Sequence, residues 1–377
     1  AIISTIVVII LDNRNPVKTM AWILILLFLP IVGLVFYFFF GRSQRRERII
    51  GQKSYDRLLK KPMAEYMAQD CSDVPEEYAR LIQLFQHTNQ AFPFEGNRIA
   101  VYTEGYTKLQ SLLRELQKAK QHIHIEYYIF EDDAIGRLVR DVLIEKASQG
   151  VEVRVIYDDV GCWHVPNRFF EEMRNAGIEV RSFLKVRFPL FTSRVNYRNH
   201  RKIVVIDGRI GFVGGMNLAE HYMRGFSWGI WRDTHILIEG KAVHGLQTAF
   251  LLDWYFVDRT LITASRYFPK IESCGSSLVQ VVTSEPIGPW KEIMQGLTMA
   301  INGAKKYFYM QTPYFLPTEQ VLAAMQTAAL AGVDVRLMLP ERADNRITHL
   351  GSHSYLADVM QAGVKVYFYK KGFLHSK

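Results

Sequence analysis

Two short stretches of the sequence carry a histidine and a lysine at the same spacing. The longer stretch, residues 199–217, reads NHRKIVVIDGRIGFVGGMN and contains His200 and Lys202. The shorter stretch, residues 375–377, reads HSK. An imidazole can act as a nucleophile or transfer a proton, and an ammonium group can neutralise an anion. Such side chains are suited to attack on a phosphodiester.

The longer stretch predicts a β-hairpin that brings its polar groups together. Asp207 and the following glycine form a turn signal after an alternating strand. The return strand would then place Gly214, Gly215 and Asn217 close to His200, where glycines leave space for a ligand. Asp207 is counted with the catalytic motif, although at the turn it braces the hairpin rather than touching substrate. The string HxKxxxxDGxxxxxGGxN is far more specific than one His-x-Lys pair, which is usually structural.

The sequence contains two copies of one unit. AKQHIHIEYYIF at residues 119–130 matches AKKYFYMQTPYF at residues 304–315, an offset of 185. Two further matches follow in the same order, GVEVRVI with GVDVRLM and AGIEV with AGVKV. Matches in one order at nearly constant offset indicate a tandem repeat. The repeat makes residues 375–377 the counterpart of the His200 motif.

Each copy predicts strands that alternate with helices. In the first copy, Leu109, Leu112, Leu113 and Leu116 have helical spacing, and residues 123–130 and 151–157 read as strands. This alternation predicts an α/β fold of two lobes, with mostly parallel sheets flanked by helices. We expect a membrane anchor at residues 1–41, a basic linker at 42–95, a first lobe at 96–275 and an incomplete second lobe at 276–377.

Composition and charge narrow the class of protein. The chain has 377 residues, of which 49% are hydrophobic and 22% charged, so it can bury a large core and is not a disordered chain. The net charge of +9 predicts an anionic partner. Three cysteines without metal spacing exclude a disulfide scaffold and favour a reducing compartment.

The N-terminal residues are typical of a membrane segment. Residues 20–40 contain no charged side chain and, as one helix, would cross a bilayer, with Trp22 and Tyr37 near its two ends. Residues 1–11 are apolar but too short to span alone. A shallow hairpin that enters one leaflet is an alternative to a full span. Eight basic residues between 42 and 61 predict that the lobes lie on the cytoplasmic side.

The first copy contains about eleven additional residues before its motif. This basic and aromatic insertion, RFPLFTSRVNYR, includes Arg187, Arg194 and Arg198. It is either a solvated basic loop or a surface that contacts anionic lipid headgroups.

These motifs together resemble the phospholipase D superfamily, which has two HxKxxxxD motifs in a pseudo-twofold fold, and within it the bacterial cardiolipin synthases. The resemblance extends over the whole chain and includes TPYFLP at residues 312–317 and GFLHSK at its end. It implies phosphatidyl transfer between two phosphatidylglycerol molecules, giving cardiolipin and glycerol without a cofactor. It also implies a location in the bacterial inner membrane and no nucleic-acid partner; the oligomeric state stays open.

The resemblance also implies roles for particular residues. His200 would form a phosphatidyl-histidine intermediate, and His375 would act as general acid and then general base, although the repeat allows the exchange of these roles. Lys202, Lys377 and Asn217 would stabilise the phosphoryl charge. Asp233 resembles the carboxylate that orients the nucleophilic histidine.

Other polar residues have less specific signals. Glu126 and Gln311 occupy equivalent positions of the repeat and are candidates for lining the substrate site. His122 and His124 have strand spacing without a third ligand, which favours a structural role over a metal site.

The sequence also leaves alternatives open. The same motifs would serve a phospholipase D-type hydrolase, a phosphatidyltransferase with another donor or acceptor, or a phosphodiesterase acting on nucleic acid; a non-catalytic membrane adaptor is a further alternative. The second motif stops at Lys377 before its aspartate. We expect the natural protein to continue for at least about 33 residues, and the terminal His375 and Lys377 to lie on a frayed strand.

Overall fold

The computed structural model describes residues 2–12, 16–37, 74–185, 198–285, 288 and 290–377. Two sheets with flanking helices form the two lobes, which confirms the predicted α/β class. The helices are α1 (Ile2–Asp12), α2 (Pro16–Phe28), α3 (Pro30–Phe36), α4 (Glu76–Asn89), α5 (Gly105–Lys118), α6 (Ala134–Ser148), α7 (Asn167–Asn175), α8 (His221–Arg224), α9 (Val243–Asp258), α10 (Glu292–Gly303), α11 (Glu319–Leu330), α12 (Arg346–Ser354) and α13 (Leu356–Gln361). The strands are β1 (Pro93–Tyr102), β2 (His122–Tyr127), β3 (Glu152–Asp158), β4 (Glu179–Phe183), β5 (Lys202–Ile206), β6 (Ile210–Gly214), β7 (Ile230–Arg232), β8 (His235–Glu239), β9 (Ser277–Gln280), β10 (Tyr307–Gln311), β11 (Asp334–Pro340), β12 (Lys365–Tyr369) and β13 (Gly372–Leu374).

The first lobe is built on an eight-stranded sheet in the order β4-β3-β2-β5-β6-β8-β1-β9. Strands β2, β3 and β4 are parallel because helices α6 and α7 connect them. From β2 to β9 every neighbouring pair is antiparallel. Five of the seven neighbouring pairs are thus antiparallel, so the expectation of mostly parallel strands fails for this sheet, where strands such as β5 and β6 are joined by tight turns.

The second lobe repeats the parallel part of the first. Its three-stranded sheet, β10-β11-β12, is parallel throughout, with α11 between the first two strands and α12 and α13 before the third. Strand β9 lies in the sequence range assigned to the second lobe but completes the sheet of the first by pairing with β1.

Helices cover both faces of the large sheet. On one face, Leu109, Leu112 and Leu116 of α5 pack against Ile123 and Ile125 of β2, which confirms the predicted apolar helix stripe. On the other face, α9 packs on β5 and β8 through the residues Val243, Leu246, Ala249, Ile203, Val205 and Ile238. The catalytic motif therefore lies on a strand that is buried between two helical layers.

A short pairing joins the two lobes. Strand β13 runs parallel to β7, with Phe373 opposite Trp231. These two rings are buried, and their centroids lie 5.1 Å apart. Because β13 ends one residue before His375, the pairing brings the second motif to the first lobe.

The N-terminal residues form three short helices instead of the predicted continuous span. Helix α2 ends at Phe28, and α3 begins at Pro30, whose ring and missing N–H interrupt a helix. The rings of Trp22 and Tyr37, predicted at opposite ends of the span, lie with centroids 5.4 Å apart. Within the residues described, no helix combines the length and the apolar character needed to cross a membrane.

Other predictions lie outside the described residues. The basic residues between 42 and 61 and most of the insertion, including Arg187 and Arg194, belong to this group. Arg198 is described, and it is not a free lipid-facing charge: its side chain lies 3.3 Å from Asp158 and donates to two main-chain carbonyls. Cys162 and Cys274 are free thiols.

Candidate active site

The first motif sits at the start of β5. His200 is solvent-exposed, and its ring centroid lies 4.6 Å from that of Tyr128. The ammonium group of Lys202 donates to the main-chain oxygen of His200 at 2.7 Å and lies 3.1 Å from its Nδ1. The buried amine of Lys202 therefore lies directly beside the exposed imidazole.

The second motif is ordered by the first lobe. The main-chain N–H of His375 donates to the oxygen of Arg232 at 2.8 Å, and its Nδ1 lies 2.7 Å from Oδ2 of the buried Asp233. Lys377 donates to the main-chain oxygen of His375 at 2.8 Å. The prediction that Asp233 contacts His200 is therefore wrong, because Asp233 contacts His375. The terminal residues, which we expect to fray, have these partners in the first lobe.

The paired glycines allow a close approach of two chain segments. A Cβ atom on Gly215 would lie 2.1 Å from Oδ1 of Asp233, and one on Gly214 would lie 2.5 Å from Cα of His235. A side chain at either position would displace the neighbouring strand. The glycines line the same cavity as the motifs, so their predicted place beside the ligand space agrees with the structure.

A cavity of about 340 Å³ connects the two motifs. Its lining residues are His200, Lys202, Val213, Gly214, Gly215, Asp233, Thr234, His235, Ile236 and Lys377. His200 and Lys202 of the first motif and Lys377 of the second therefore share one space, together with His235 of β8.

Two predicted site residues have internal partners. Asn217 is buried; its amide donates to the hydroxyl of Tyr222 at 2.5 Å, and its oxygen accepts from the N–H of Ile129 at 3.1 Å. Asp207 accepts from the main-chain N–H groups of residues 120, 121 and 122 at 2.8–2.9 Å. Asp207 therefore braces the hairpin, as its place at the turn predicts.

The equivalent residues Glu126 and Gln311 have different surroundings. Glu126 is buried below the motif and accepts from the side chain of Asn199. Gln311 is exposed at the end of β10. Neither residue lines the cavity described above.

The charges of the site favour a neutral His200. The cavity walls desolvate its ring, which lowers the pKa of His200 to about 3, and the ammonium groups of Lys202 and Lys377 act in the same direction. Burial likewise lowers the pKa of Lys202 to about 7, with a further contribution from Lys377. At neutral pH His200 has a free lone pair and can attack an electrophile.

The paired strand histidines are part of the core. His122 and His124 are buried, and both contact the side-chain amide of Gln247, at 3.1 and 2.8 Å. The ring of His124 also stacks on Phe250 with a centroid distance of 4.5 Å. These contacts agree with the structural role predicted for the pair. Across the described ranges, no three histidine, cysteine or acidic side chains are grouped to hold a metal ion.

Sequence reasoning missed three residues around the first motif. Tyr128 packs against the ring of His200, and Asn199 and Asp253 form part of a buried network beneath it. Asn199 directly precedes His200, which was a usable signal. Asp253 lies in a long apolar helix, and no sequence pattern links it to Asn199, its partner in the structure.

A two-lobed α/β fold in which two His-x-Lys motifs share one cavity defines the phospholipase D-like class of enzymes. The family model described as "Cardiolipin synthase, PLD-like domain" matches residues 112–250 and 297–377. A second model, "Phospholipase_D-nuclease N-terminal", matches residues 1–42. The chain belongs to the cardiolipin synthase family.

Relatives with curated names agree with this assignment. The chain is 42% identical over 383 residues to the cardiolipin synthase of Geobacillus kaustophilus, covering all of this chain and 76% of the relative. It is 37% identical over 388 residues to the major cardiolipin synthase of Bacillus subtilis, covering all of this chain and 80% of the relative. Among solved structures, a phosphatidylserine synthase from Haemophilus influenzae has the same fold, with a TM-score of 0.55 and 13% identity over 79% of each chain.

Proposed function

We propose that the chain joins two phosphatidylglycerol molecules into cardiolipin and glycerol, with His200 as nucleophile and His375 as general acid and base. Membership of the cardiolipin synthase family makes the protein a phosphatidyltransferase of the phospholipase D type. The observation that carries the proposal is that both motifs meet at one cavity, with His200, Lys202 and Lys377 in its lining and His375 held by the buried Asp233. The division of roles between the two histidines follows the family resemblance of the first motif.

In the first step, the lone pair of His200 attacks the phosphorus of one phosphatidylglycerol. The bond between phosphorus and the headgroup glycerol oxygen breaks, and His375 gives a proton to that oxygen. The product is a phosphatidyl-histidine intermediate and free glycerol. Asp233 at Nδ1 stabilises the positive charge on the His375 ring and leaves Nε2 for proton transfer.

In the second step, His375 takes the proton from a headgroup hydroxyl of a second phosphatidylglycerol. That oxygen attacks the intermediate, the bond between phosphorus and His200 breaks, and cardiolipin forms. Lys202 and Lys377, which line the cavity, neutralise the phosphoryl oxygens in both steps. An anionic phosphate next to Lys202 favours the charged form of this buried amine.

The buried position of Asn217 supports a different role from the one predicted. Both ends of its amide are engaged with Tyr222 and Ile129. We therefore assign Asn217 to holding the segment that follows the glycines, and assign the phosphoryl charge to the two lysines.

Localisation is part of the same proposal. The uncharged residues 20–40 followed by eight basic residues between 42 and 61 support attachment to the bacterial inner membrane, with the lobes on the cytoplasmic side. Anionic lipids of that membrane are then both substrate and binding surface.

Product analysis tests the proposed reaction. The full-length protein is incubated in vesicles of pure phosphatidylglycerol, and the lipids and free glycerol are measured. We expect cardiolipin and glycerol in equal amounts. Phosphatidic acid as the main product would instead show a hydrolase, and products that appear only with added ethanolamine would show a different acceptor.

A further inference from the structure

Glu126 belongs to the first copy of the repeated strand but does not face the catalytic cavity. In the register of β2 with β5, Tyr127 lies opposite Lys202 and Glu126 lies opposite Ile203. Successive side chains of a strand point to opposite faces, so Glu126 points away from Lys202, toward α9. The residue is only 1% exposed.

The two residues that flank His200 are held by acids on that face. The amide of Asn199 donates to Oε1 of Glu126 and lies 3.3 Å from Oδ2 of Asp253, to which it also donates. The guanidinium group of Arg201 donates to the same carboxylate of Asp253. The main-chain N–H of Arg201 donates to Oδ1 of Asn199 at 2.9 Å. The main chain on both sides of His200 is therefore tied to Glu126 and Asp253.

The charges in this network do not balance if both acids are ionised. Arg201 and Asp253 form one ion pair, and Glu126 would add a further buried negative charge. Oε2 of Glu126 is buried and accepts no hydrogen bond within the described residues. Desolvation and the nearby Asp253 raise the pKa of Glu126 well above its usual range, against the opposing effect of Arg201. Glu285 is a further charged group near Arg201.

We propose that Glu126 is a positioning residue that is held as a neutral carboxylic acid and fixes Asn199, and through it His200. The proton lies on Oε2, which leaves Oε1 to accept from the amide of Asn199. Glu126 touches neither substrate nor the reacting atoms. The kinetic part of this inference rests on the proposed function, whereas the protonation state can be measured without turnover.

Infrared spectroscopy tests the protonation state directly. A protonated buried carboxyl has a carbonyl stretch separate from that of carboxylates, and difference spectra at pH 7 assign it by substitution. We expect this band in the wild-type protein and its loss in Glu126→Gln. The control Glu179→Gln removes a half-exposed glutamate of the same sheet and should keep the band. A wild-type spectrum without a band that depends on Glu126 would overturn the proposal.

Steady-state kinetics on phosphatidylglycerol vesicles test the positioning role. Glu126→Gln preserves shape, neutrality and an oxygen for Asn199, so kcat should stay within about threefold of wild type, since the hydrogen bond from Asn199 is retained. Glu126→Ala has no side-chain oxygen for Asn199, and in Glu126→Asp the oxygen lies too far away. Both variants should lower kcat about 10- to 100-fold with KM within about twofold, because a small displacement of a catalytic group lowers the rate strongly.

Thermal unfolding separates this role from loss of fold. The proposal is refuted if Glu126→Gln lowers kcat as much as Glu126→Ala does. It is also refuted if the lower kcat of Glu126→Ala is fully explained by a smaller fraction of folded protein. If the wild-type protein forms no cardiolipin at all, the proposed function fails, while the infrared result still decides the state of Glu126.

Discussion

At the residue scale, the two catalytic histidines differ in what surrounds them. His375 is 9% exposed and bonded to a buried carboxylate, whereas His200 is exposed next to a lysine. In the proposed reaction, the bond to Asp233 supports His375 as the group that transfers protons.

Replacing the two histidines should therefore have different effects. We expect His200→Ala to abolish both cardiolipin formation and labelling of the protein by phosphatidylglycerol, because the other histidine in the cavity lining, His235, is completely buried. His375→Ala should block turnover, but a donor with a very acidic leaving group should still label the protein, since its departure needs no proton. Acid-labile radiolabel on the trapped protein is the measurement. Labelling that persists in His200→Ala would assign the nucleophile to another residue.

Lys108 provides a test of stability against pH. Its side chain is completely buried, with the hydroxyl of Tyr127 at 2.9 Å, and burial lowers its pKa to about 7. Between pH 7 and about 10 the unfolded chain binds more protons at this lysine than the folded one, so stability should rise with pH in this window, by a few kcal/mol at most.

Lys108→Met should remove this contribution. We expect the variant to be more stable than wild type near pH 7 and to show a smaller rise in its thermal midpoint between pH 7 and 9. Lys202, whose pKa is also lowered to about 7, remains in both proteins and accounts for the residual slope. Identical pH profiles for the two proteins would show that Lys108 does not titrate in this window.

The assignment of Asp233 shows where residue-level prediction ends. Both His-x-Lys motifs can be recognised in the sequence because their spacing is local, and the structure brings residues of both to one cavity. Asp233 follows the first motif by 31 positions, which favours the nearer His200, but the chain brings it to His375, 142 positions away. A contact between lobes depends on how they dock, and no local pattern encodes that.

At the element scale, the hairpin of β5 and β6 positions the first motif. The left-handed backbone at Asp207 and Gly208, with φ of 52° and 65°, makes the tight turn that the sequence predicts. The relative direction of the strands is predicted less well. Helices between strands indicate parallel pairing, but β1, β8 and β9 are far apart in the sequence, and no periodic pattern indicates that they pair.

The close approach at Gly215 can be tested with a matched glycine. Gly215→Ala would place a methyl group 2.1 Å from Asp233, so the carboxylate must move and His375 loses its orientation. We expect a 10- to 100-fold loss in kcat, as for other displaced catalytic groups. Gly303→Ala at the end of α10, where no atom lies within 4 Å of the new methyl group, should retain wild-type activity. Full activity of Gly215→Ala would contradict the positioning of Asp233 by this contact.

At the scale of the whole molecule, the lobes share the site through β13 and β7. Gly372 has a φ of 149°, and a Cβ atom there would lie 2.1 Å from the oxygen of Ile230. Gly363 also has a positive φ, of 98°, but no atom lies within 4 Å of its Cβ position. Alanine substitutions at these two glycines therefore distinguish the effect of backbone strain from the effect of losing the pairing between the lobes.

We expect Gly363→Ala to lower stability by about 1 kcal/mol through strain and to leave activity intact. Gly372→Ala should separate β13 from β7, move His375 away from Asp233, and abolish cardiolipin formation while each lobe stays folded. Activity measurements combined with limited proteolysis between the lobes distinguish these outcomes. Equal activity in the two variants would mean that the strand pairing is dispensable.

The N-terminal helices show how one residue changes a prediction at this scale. Counting apolar residues predicts one span, but Pro30 ends one helix and begins another. The apolar side chains that face outward in the described helices include Leu27, Phe28, Ile31 and Val32. Composition therefore indicates the apolar environment of this segment, while the proline determines its shape.

The bond between Asp233 and His375 also has a consequence for biosynthesis. A ribosome adds about 5–20 residues per second, so roughly 7–28 s separate the synthesis of these two residues. During that interval the nascent chain carries His200, the proposed nucleophile, without His375, its proposed proton donor. A lipid that contacts the nascent chain early finds only the first half of the site. The site is complete only when the second lobe has been synthesised and has docked.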